Sequence, residues 1–157
     1  MLVCECELGR GVFADRFYRA GDEILRFEGR TVPAQIVAAM GDDECYMIQI
    51  GPDLYLEPEA PGRYTNHSCM PNAAIKDDRR LVALVDIPAN QQICFDYSTT
   101  MSENNWTMTC RCGAVDCRGI IRDFGDLPAD LQRRYLDLGV VQSFIVREMR
   151  SLDEATA

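Results

Sequence analysis

Asn66-His67-Ser68-Cys69-Met70-Pro71-Asn72 and, further along, Cys110-Arg111-Cys112-Gly113-Ala114-Val115-Asp116-Cys117 are the two segments around which this chain is organised. The later segment carries three cysteines in a C-x-C-x₄-C spacing. That is one ligand short of a closed zinc site, which takes four in a tetrahedron. Cys69 is the best fourth. A zinc ion held by Cys69, Cys110, Cys112 and Cys117 clamps the end of the chain over whatever Asn66 and His67 help to build. With all four positions filled, no open position remains for catalysis, so the metal's role is structural.

Outward from these segments, 157 residues suffice for one domain with one core. Apolar residues make up 47% of the chain, and no run approaches the roughly 18 consecutive apolar residues of a membrane span. Near the N-terminus Cys4, Glu5, Cys6, Glu7 and Arg10 stand where a secretory signal needs a clean apolar run, so none is expected. Without export, eight cysteines point to reduced thiols and a metal site rather than to disulfides. The expected compartment is intracellular and reducing: the nucleus in a eukaryote, the cytoplasm or a host cell for a bacterial protein.

A net charge of −9 argues against direct contact with nucleic acid and suits a basic protein or peptide partner. Between Arg30 and Arg63 there is no Lys or Arg, while Asp42, Asp43, Glu44, Asp53, Glu57 and Glu59 all fall there. Such a run is commonly a solvated face; a surface that attracts a basic substrate is the alternative. Oligomeric state is not legible.

The first part of the chain reads as short strands with turn punctuation. Gly11 to Ala14 and Glu23 to Phe27 are expected strands. Pro33 to Met40, followed by Gly41, has the Pro-first, Gly-last asymmetry of a helix. Cys45 to Ile50 and Leu54 to Glu57 flank Gly51-Pro52-Asp53 as a hairpin, and Ala73 to Lys76 and Arg80 to Val85 flank Asp77-Asp78 as another. Gln92 to Phe95 is the last strand of the series, and Cys4-Glu5-Cys6 reads as a strand edge. Beyond Cys117 the period changes. Leu127, Leu131, Tyr135 and Leu138 recur at helical spacing after the capping candidate Asp126, and Val141, Phe144, Ile145, Met149 and Leu152 repeat it, with Gly139 between. A helical hairpin packed on the β core is expected; a partner-binding arm is the alternative.

Four motifs in order, over about residues 8–119, resemble a SET-domain protein lysine methyltransferase with a post-SET zinc motif. They are Gly9-Arg10-Gly11-Val12-Phe13-Ala14, Arg63 to Asn72 (R-x-x-N-H-S-C-x-P-N), Ile87 to Tyr97, and Cys110 to Gly119. The resemblance implies a mainly β fold with helices: small sheets, a threaded, pseudoknot-like C-terminal segment and a zinc loop, with the helical hairpin added. It divides the chain into a SET domain over 1–100, a post-SET segment over 101–121 and a tail over 122–157. It implies S-adenosylmethionine as methyl donor, one structural zinc, and transfer to a lysine amine of a histone, histone-like or other protein. A non-catalytic SET module that binds partners is the competing reading.

Tyr97 matches the family's catalytic tyrosine, although a tyrosine after a strand is more often plain core. Phe95 matches the position that sets product multiplicity, where phenylalanine leaves room for a second or third methyl. Gly9, Arg10 and Gly11 match the turn that approaches the donor's methionine part, where a side chain obstructs. Asn66 and His67 match the pair near the adenine, and Tyr46 and Arg63 align as further donor contacts. Since few residues precede the first motif, the cysteine-rich region found before SET in several relatives is not expected here. Ile121 or Phe124 stands where an adenine-stacking aromatic is usual, and Trp106 either packs under the zinc loop or touches the donor. Phe27 lines the lysine channel or is plain core.

Overall fold

The computed structural model describes residues 1–104 and 106–156, with the side chains of 42–44, 153, 155 and 156 outside the described set. The acidic side chains of Asp42, Asp43 and Glu44, part of the expected acidic run, therefore lie outside the described residues.

The chain opens with an antiparallel hairpin, β1 (Leu2–Cys6) and β2 (Gly9–Phe13). Then come β3 (Glu23–Arg26), β4 (Gly29–Pro33), a single helical turn α1 (Ala34–Val37), β5 (Ile48–Gly51) and β6 (Leu54–Pro58). After them lie β7 (Asn66–His67), β8 (Ala73–Lys76), β9 (Arg80–Ala83), β10 (Gln92–Phe95), β11 (Met108–Thr109) and β12 (Ile120–Ile121). Two helices finish the chain, α2 (Ala129–Leu138) and α3 (Ser143–Thr156). The strands make small sheets in the orders β1-β2-β10-β7, β3-β9-β8, β4-β6-β5 and β11-β12. The architecture is mainly β, as expected.

The first sheet matters most. β10 lies between β2, to which it is antiparallel, and β7, to which it is parallel, so a late strand enters between two early ones. Alternation explains the core beneath it. Val12, Ile93 and Phe95 point inward and join Phe27, Leu56, Ile75, Leu81 and Ile87 in one apolar cluster.

The helical tail has a core of its own, in which Phe124, Leu127, Tyr135, Val140, Phe144 and Ile145 pack on Ala74 of β8. Gly139 ends α2 in the left-handed region (φ 63°), with the amides of Gly139 and Val140 closing on the carbonyls of Leu136 and Tyr135. Only glycine takes that conformation without strain. The β8–β9 turn also departs from ordinary backbone, with φ 49° at Asp77 and 64° at Asp78. Lys76 pairs with Arg80, so the loop holds three residues; the Arg79 amide closes on the Lys76 carbonyl (3.2 Å), and both central residues of that turn are left-handed. Asp78 is also fixed by its contacts with α3. Its carboxylate accepts the Ser143 amide (2.7 Å) and hydroxyl (2.6 Å), so it caps that helix and complements its dipole.

Several expectations need correction. Asp126 does not cap α2; Pro128 occupies the N-cap, where its fixed φ suits helix entry. Leu138 stays exposed, because α2 turns its buried face through Tyr135. Cys45 and Tyr46 belong to a 3₁₀ turn and the strand begins only at Ile48. The expected helix over 33–40 is reduced to Ala34–Val37. Strand β4 has no counterpart among the expected strands; β6 recruits it in full register, Gly29 opposite Pro58 through Pro33 opposite Leu54. Among the described residues no helix is long and apolar enough to cross a membrane.

Tyr135 ties the tail to the first sheet. Its hydroxyl donates to Oδ2 of Asp96 (3.0 Å), one residue past β10. Tyr135→Phe removes a hydrogen bond to a buried carboxylate and should cost about 2 kcal/mol of unfolding free energy, measured by urea denaturation.

Candidate active site

Parallel pairing of β10 with β7 sets Cys94 beside Asn66 and Phe95 beside His67, bringing two distant motifs together. The chain beyond β10 then turns tightly, with the Asp96 side chain accepting the Ser98 amide. Tyr97 is thereby aimed between two cavities.

The first is a narrow channel of about 40 Å³ whose walls include Phe27, Tyr55, Phe95, Tyr97 and Trp106. Phe27 and Phe95 meet edge to face at 6.0 Å, and Phe95 and Tyr97 lie 4.9 Å apart. Gly62 lets Phe27 sit where it does, since a Cβ there would come within 2.8 Å of the ring. The second is a wide cleft of about 1040 Å³, bordered by Gly9, Arg10, Tyr46, Arg63, Asn66 and His67. Channel and cleft share Cys45, Tyr46, Arg63 and Tyr97.

Most of the residues singled out from the sequence thus converge on these two cavities. Gly11 lines neither: it is buried, and a Cβ would come 2.5 Å from Gln92 Nε2 and 3.1 Å from Asn66 Nδ2. Its smallness seats Asn66, whose amide donates to the Arg10 carbonyl (3.0 Å). Ile121 borders the cleft, whereas Phe124 is buried in the tail's core. Trp106 lines the channel and packs against the thiol cluster rather than bordering the cleft. Sequence reasoning missed Tyr55, Thr65 and Glu103 on the channel and Tyr64 on the cleft. Thr65 sits inside the R-x-x-N-H-S motif, which was signal enough to find it; a strand tyrosine such as Tyr55 carries no distinguishing signal.

The Tyr97 hydroxyl donates to the Thr65 carbonyl (2.9 Å). Its hydrogen is therefore committed, and its oxygen keeps lone pairs free to accept. Burial pushes this phenol well above the usual tyrosine range, so it stays protonated. Across the cleft, Arg10 lies over the Tyr64 ring (3.9 Å) and Arg63 over the Tyr46 ring (4.3 Å), cation–π contacts that fix both aromatics.

His67 is buried, and desolvation brings its ring down to about 4, so it is neutral. Nδ1 accepts the Tyr97 amide at 3.2 Å, with an Asp96 oxygen farther off at 3.5 Å. The ring hydrogen then belongs on Nε2, which faces Cys69 Sγ at 3.3 Å.

Around Cys69 the ligating atoms of His67, Cys69, Cys110 and Cys112 all lie within 4.8 Å of one another. Cys69 and Cys110 sulfurs are 3.7 Å apart; two sulfurs on one tetrahedral zinc at about 2.3 Å each stand about 3.8 Å apart. Cys117 packs against the cluster that holds Cys69 and Cys110, but its sulfur is not one of those four mutually close atoms. Backbone amides converge on the sulfurs, from Cys69 to Cys112 (3.5 Å), Arg118 to Cys69 (3.4 Å) and Gly119 to Cys117 (3.5 Å). Burial raises the Cys112 thiol, but the amides of Cys69 and Ala114 and the thiols of Cys110 and Cys117 outweigh it and bring the group down to about 6. Amide donors aimed at sulfur favour thiolates, the form that binds metal.

The SET domain family matches residues 9–98, more than half of the chain. The chain belongs to the SET-domain family. Over 86 residues the SET domain is 35% identical to mouse histone-lysine N-methyltransferase NSD3, covering 48% of this chain and 6% of that protein. It is 26% identical over 134 residues to histone H3-lysine(4) N-trimethyltransferase ATX1 of Arabidopsis thaliana, covering 73% of this chain and 12% of that one. The chain thus spans a small part of these relatives. Among solved structures, Arabidopsis thaliana SUVH6 in complex with SAM superposes with a TM-score of 0.63 at 22% identity, over 76% of this chain and 32% of that one. The methyltransferase domain of human SETMAR superposes with a TM-score of 0.60 at 21% identity, over 75% and 55%. Both share the fold of this SET domain.

Proposed function

We propose that this SET domain transfers a methyl group from S-adenosylmethionine to the side-chain amine of a lysine in a basic protein or peptide. The observation that carries the reading is the meeting of a nucleotide-sized cleft and a narrow aromatic channel at Tyr97. A cleft of about 1040 Å³ stands at the upper end of the size range of small-molecule sites and suits such a donor. A channel walled by Phe27, Phe95 and Tyr97 suits an unbranched alkyl chain with a terminal amine. Of the solved neighbours, one is a complex with SAM and another a complex with DNA, an H3 peptide and SAH, and the two relatives described above are histone-lysine methyltransferases by name.

The donor supplies an activated methyl group; the chain's residues do the rest. Apolar walls desolvate the incoming ammonium and lower its pKa, favouring the neutral amine that attacks. Its nitrogen forms the new bond to carbon as the carbon–sulfur bond breaks, the electron pair staying on sulfur, and the methylated ammonium later loses a proton to solvent. Tyr97, its hydrogen held by the Thr65 carbonyl, turns oxygen lone pairs to the amine and to the methyl hydrogens. Holding donor and amine in line supplies much of the acceleration.

We read residues 101–121 as the zinc-binding segment and Cys69, Cys110, Cys112 and Cys117 as its ligands. His67 lies within the same cluster, but its Nδ1 lone pair is taken by the Tyr97 amide. Binding a metal through Nε2 as well would leave the ring with no hydrogen at all. His67 instead donates to the Cys69 thiolate, orienting a ligand and linking it to the backbone of Tyr97. The metal supplies a cross-link between the two motifs and no chemical step.

Incubation with labelled S-adenosylmethionine and histone peptides tests the reading, and titration calorimetry with the donor separates it from a partner-binding module, which has no need of donor binding. Tyr97→Phe should lower kcat by about 100-fold or more with the fold intact; unchanged labelling would remove Tyr97 from the chemistry. Phe95→Tyr should shift products toward monomethyl-lysine, read by mass spectrometry. Elemental analysis should find one zinc per chain, retained in His67→Gln and lost in Cys117→Ser, with activity lost alongside; the opposite pattern makes histidine the fourth ligand.

A further inference from the structure

Among the described residues, three buried side-chain polar atoms have no hydrogen-bond partner in the chain: Thr65 Oγ1, Asp123 Oδ1 and Gln142 Oε1. Asp123 and Gln142 each keep another bond, from the Asn104 amide and to the Asp78 carbonyl, and neither borders the channel or the cleft. Thr65 differs on both counts. The hydroxyl is its one polar side-chain group, and the residue stands on the channel wall and not on the cleft. We infer that the Thr65 hydroxyl binds the reacting amine, accepting one of its N–H groups, so that the site favours a lysine that carries no methyl group yet. The inference rests on the methyl-transfer reading and names the methylation state that the same site selects.

The main chain of Thr65 is engaged on both sides. Its amide donates to the Gly62 carbonyl (2.9 Å) and its carbonyl accepts the Tyr97 hydroxyl (2.9 Å). The residue is held in place by these bonds and is 4% exposed, so bulk water does not compensate the hydroxyl. A buried hydroxyl without a partner destabilises the free protein, whereas valine has the same outline and no group to satisfy. Such groups are few in native structures, and a part in the chemistry is one recognised reason for keeping one. The narrow channel beside Thr65 is where a partner enters.

Chemistry identifies that partner. The Tyr97 oxygen stands 2.9 Å from the Thr65 carbonyl oxygen, so a nitrogen held at Tyr97 is also beside Thr65. In the neutral amine the lone pair points at the methyl carbon and two N–H groups point away from it. Tyr97 has lone pairs for one of them, and the Thr65 hydroxyl has lone pairs for the other. Each transfer replaces one N–H by a methyl group. A monomethylated amine has one N–H left for two acceptors, and a dimethylated amine has none. The second acceptor therefore matters most in the first transfer and not at all in the third. Thr65 neither gives nor takes a proton in this role.

The test uses the full chain as wild type, Thr65→Val and Thr65→Ser, with histone H3 tail peptides whose single lysine is unmethylated, monomethylated or dimethylated. Mass spectrometry reads kcat/KM, fluorescence anisotropy reads affinity, and urea denaturation reads the stability of the free protein. Thr65→Val should lower kcat/KM about tenfold on the unmethylated peptide, less on the monomethylated one, and leave the dimethylated one unchanged. Thr65→Ser, which keeps the hydroxyl, should retain the wild-type order. The urea midpoint of Thr65→Val should equal or exceed that of wild type, since no bond is lost in the free protein. A lower midpoint shows that the hydroxyl serves the fold and overturns the inference, as does an equal fall on all three peptides. The two readings fail separately. Methylation by Thr65→Val at wild-type rates on every peptide sinks the role of Thr65 and keeps methyl transfer. If wild type methylates none of the peptides, affinity decides: tighter binding of the unmethylated peptide that Thr65→Val abolishes keeps Thr65 as the amine's partner and sinks the chemistry, and its absence sinks both.

Discussion

The carboxylate of Asp96, 1% exposed and flanked in sequence by Phe95 and Tyr97, is the constraint on which the assembly depends. A buried charge is tolerable only when it is paired and hydrogen-bonded. Oδ1 accepts the Arg118 guanidinium (2.7 Å) and the Ser98 amide (3.2 Å), and Oδ2 accepts the Tyr135 hydroxyl (3.0 Å). These donors come from the cysteine-rich loop, from the turn that carries Tyr97, and from α2. Satisfying one carboxylate therefore holds three segments to the end of β10. Burial of Arg118 works against its charge, and the Asp96 hydrogen bond and its field outweigh that cost. Removing any one donor leaves a buried charge short of partners, which explains how a loop and a helix far apart in sequence both bear on one tyrosine.

A second set of contacts joins the thiol cluster to the same point. His67 accepts the Tyr97 amide on one nitrogen and faces Cys69 with the other, while Arg118 gives its amide to Cys69 and its guanidinium to Asp96. The cysteine cluster and the junction of channel and cleft are therefore neighbours through single residues rather than through a long packed path. Loss of order in the loop is felt at Tyr97 without any contact between a sulfur and the reacting atoms.

The motifs carried much of this in plain view. C-x-C-x₄-C with Cys69 announced a shared cluster because thiols rarely recur at that spacing for packing alone; Cys69, Cys110 and Cys112 come together with His67, and Cys117 packs beside them. Helical periodicity with Gly139 announced the hairpin of α2 and α3. Local signals failed where a neighbour's demand overrode them. β4 forms because β6 offers a full row of backbone partners to a segment of weak strand character. The helix expected over 33–40 shrinks to one turn: β4 takes Pro33 as its last residue, and the helix already ends at its C-cap Ala38. Asp126 looks like a cap but lies before Leu127 and Pro128, which carry the chain from a 3₁₀ turn into α2.

By itself, the sequence determined the identity of the family and the aromatic character of the site, because each is written in residue types at short, fixed spacing. Tertiary structure alone decided which residues share a wall. That Tyr55 holds Glu103, that Gly62 makes room for Phe27, and that Gly11 serves Asn66 from behind depends on strands from different sheets meeting at set distances. Spacing along a chain encodes local geometry; it does not encode the register between β10 and β7, which arises only when backbone hydrogen bonding and burial are satisfied together.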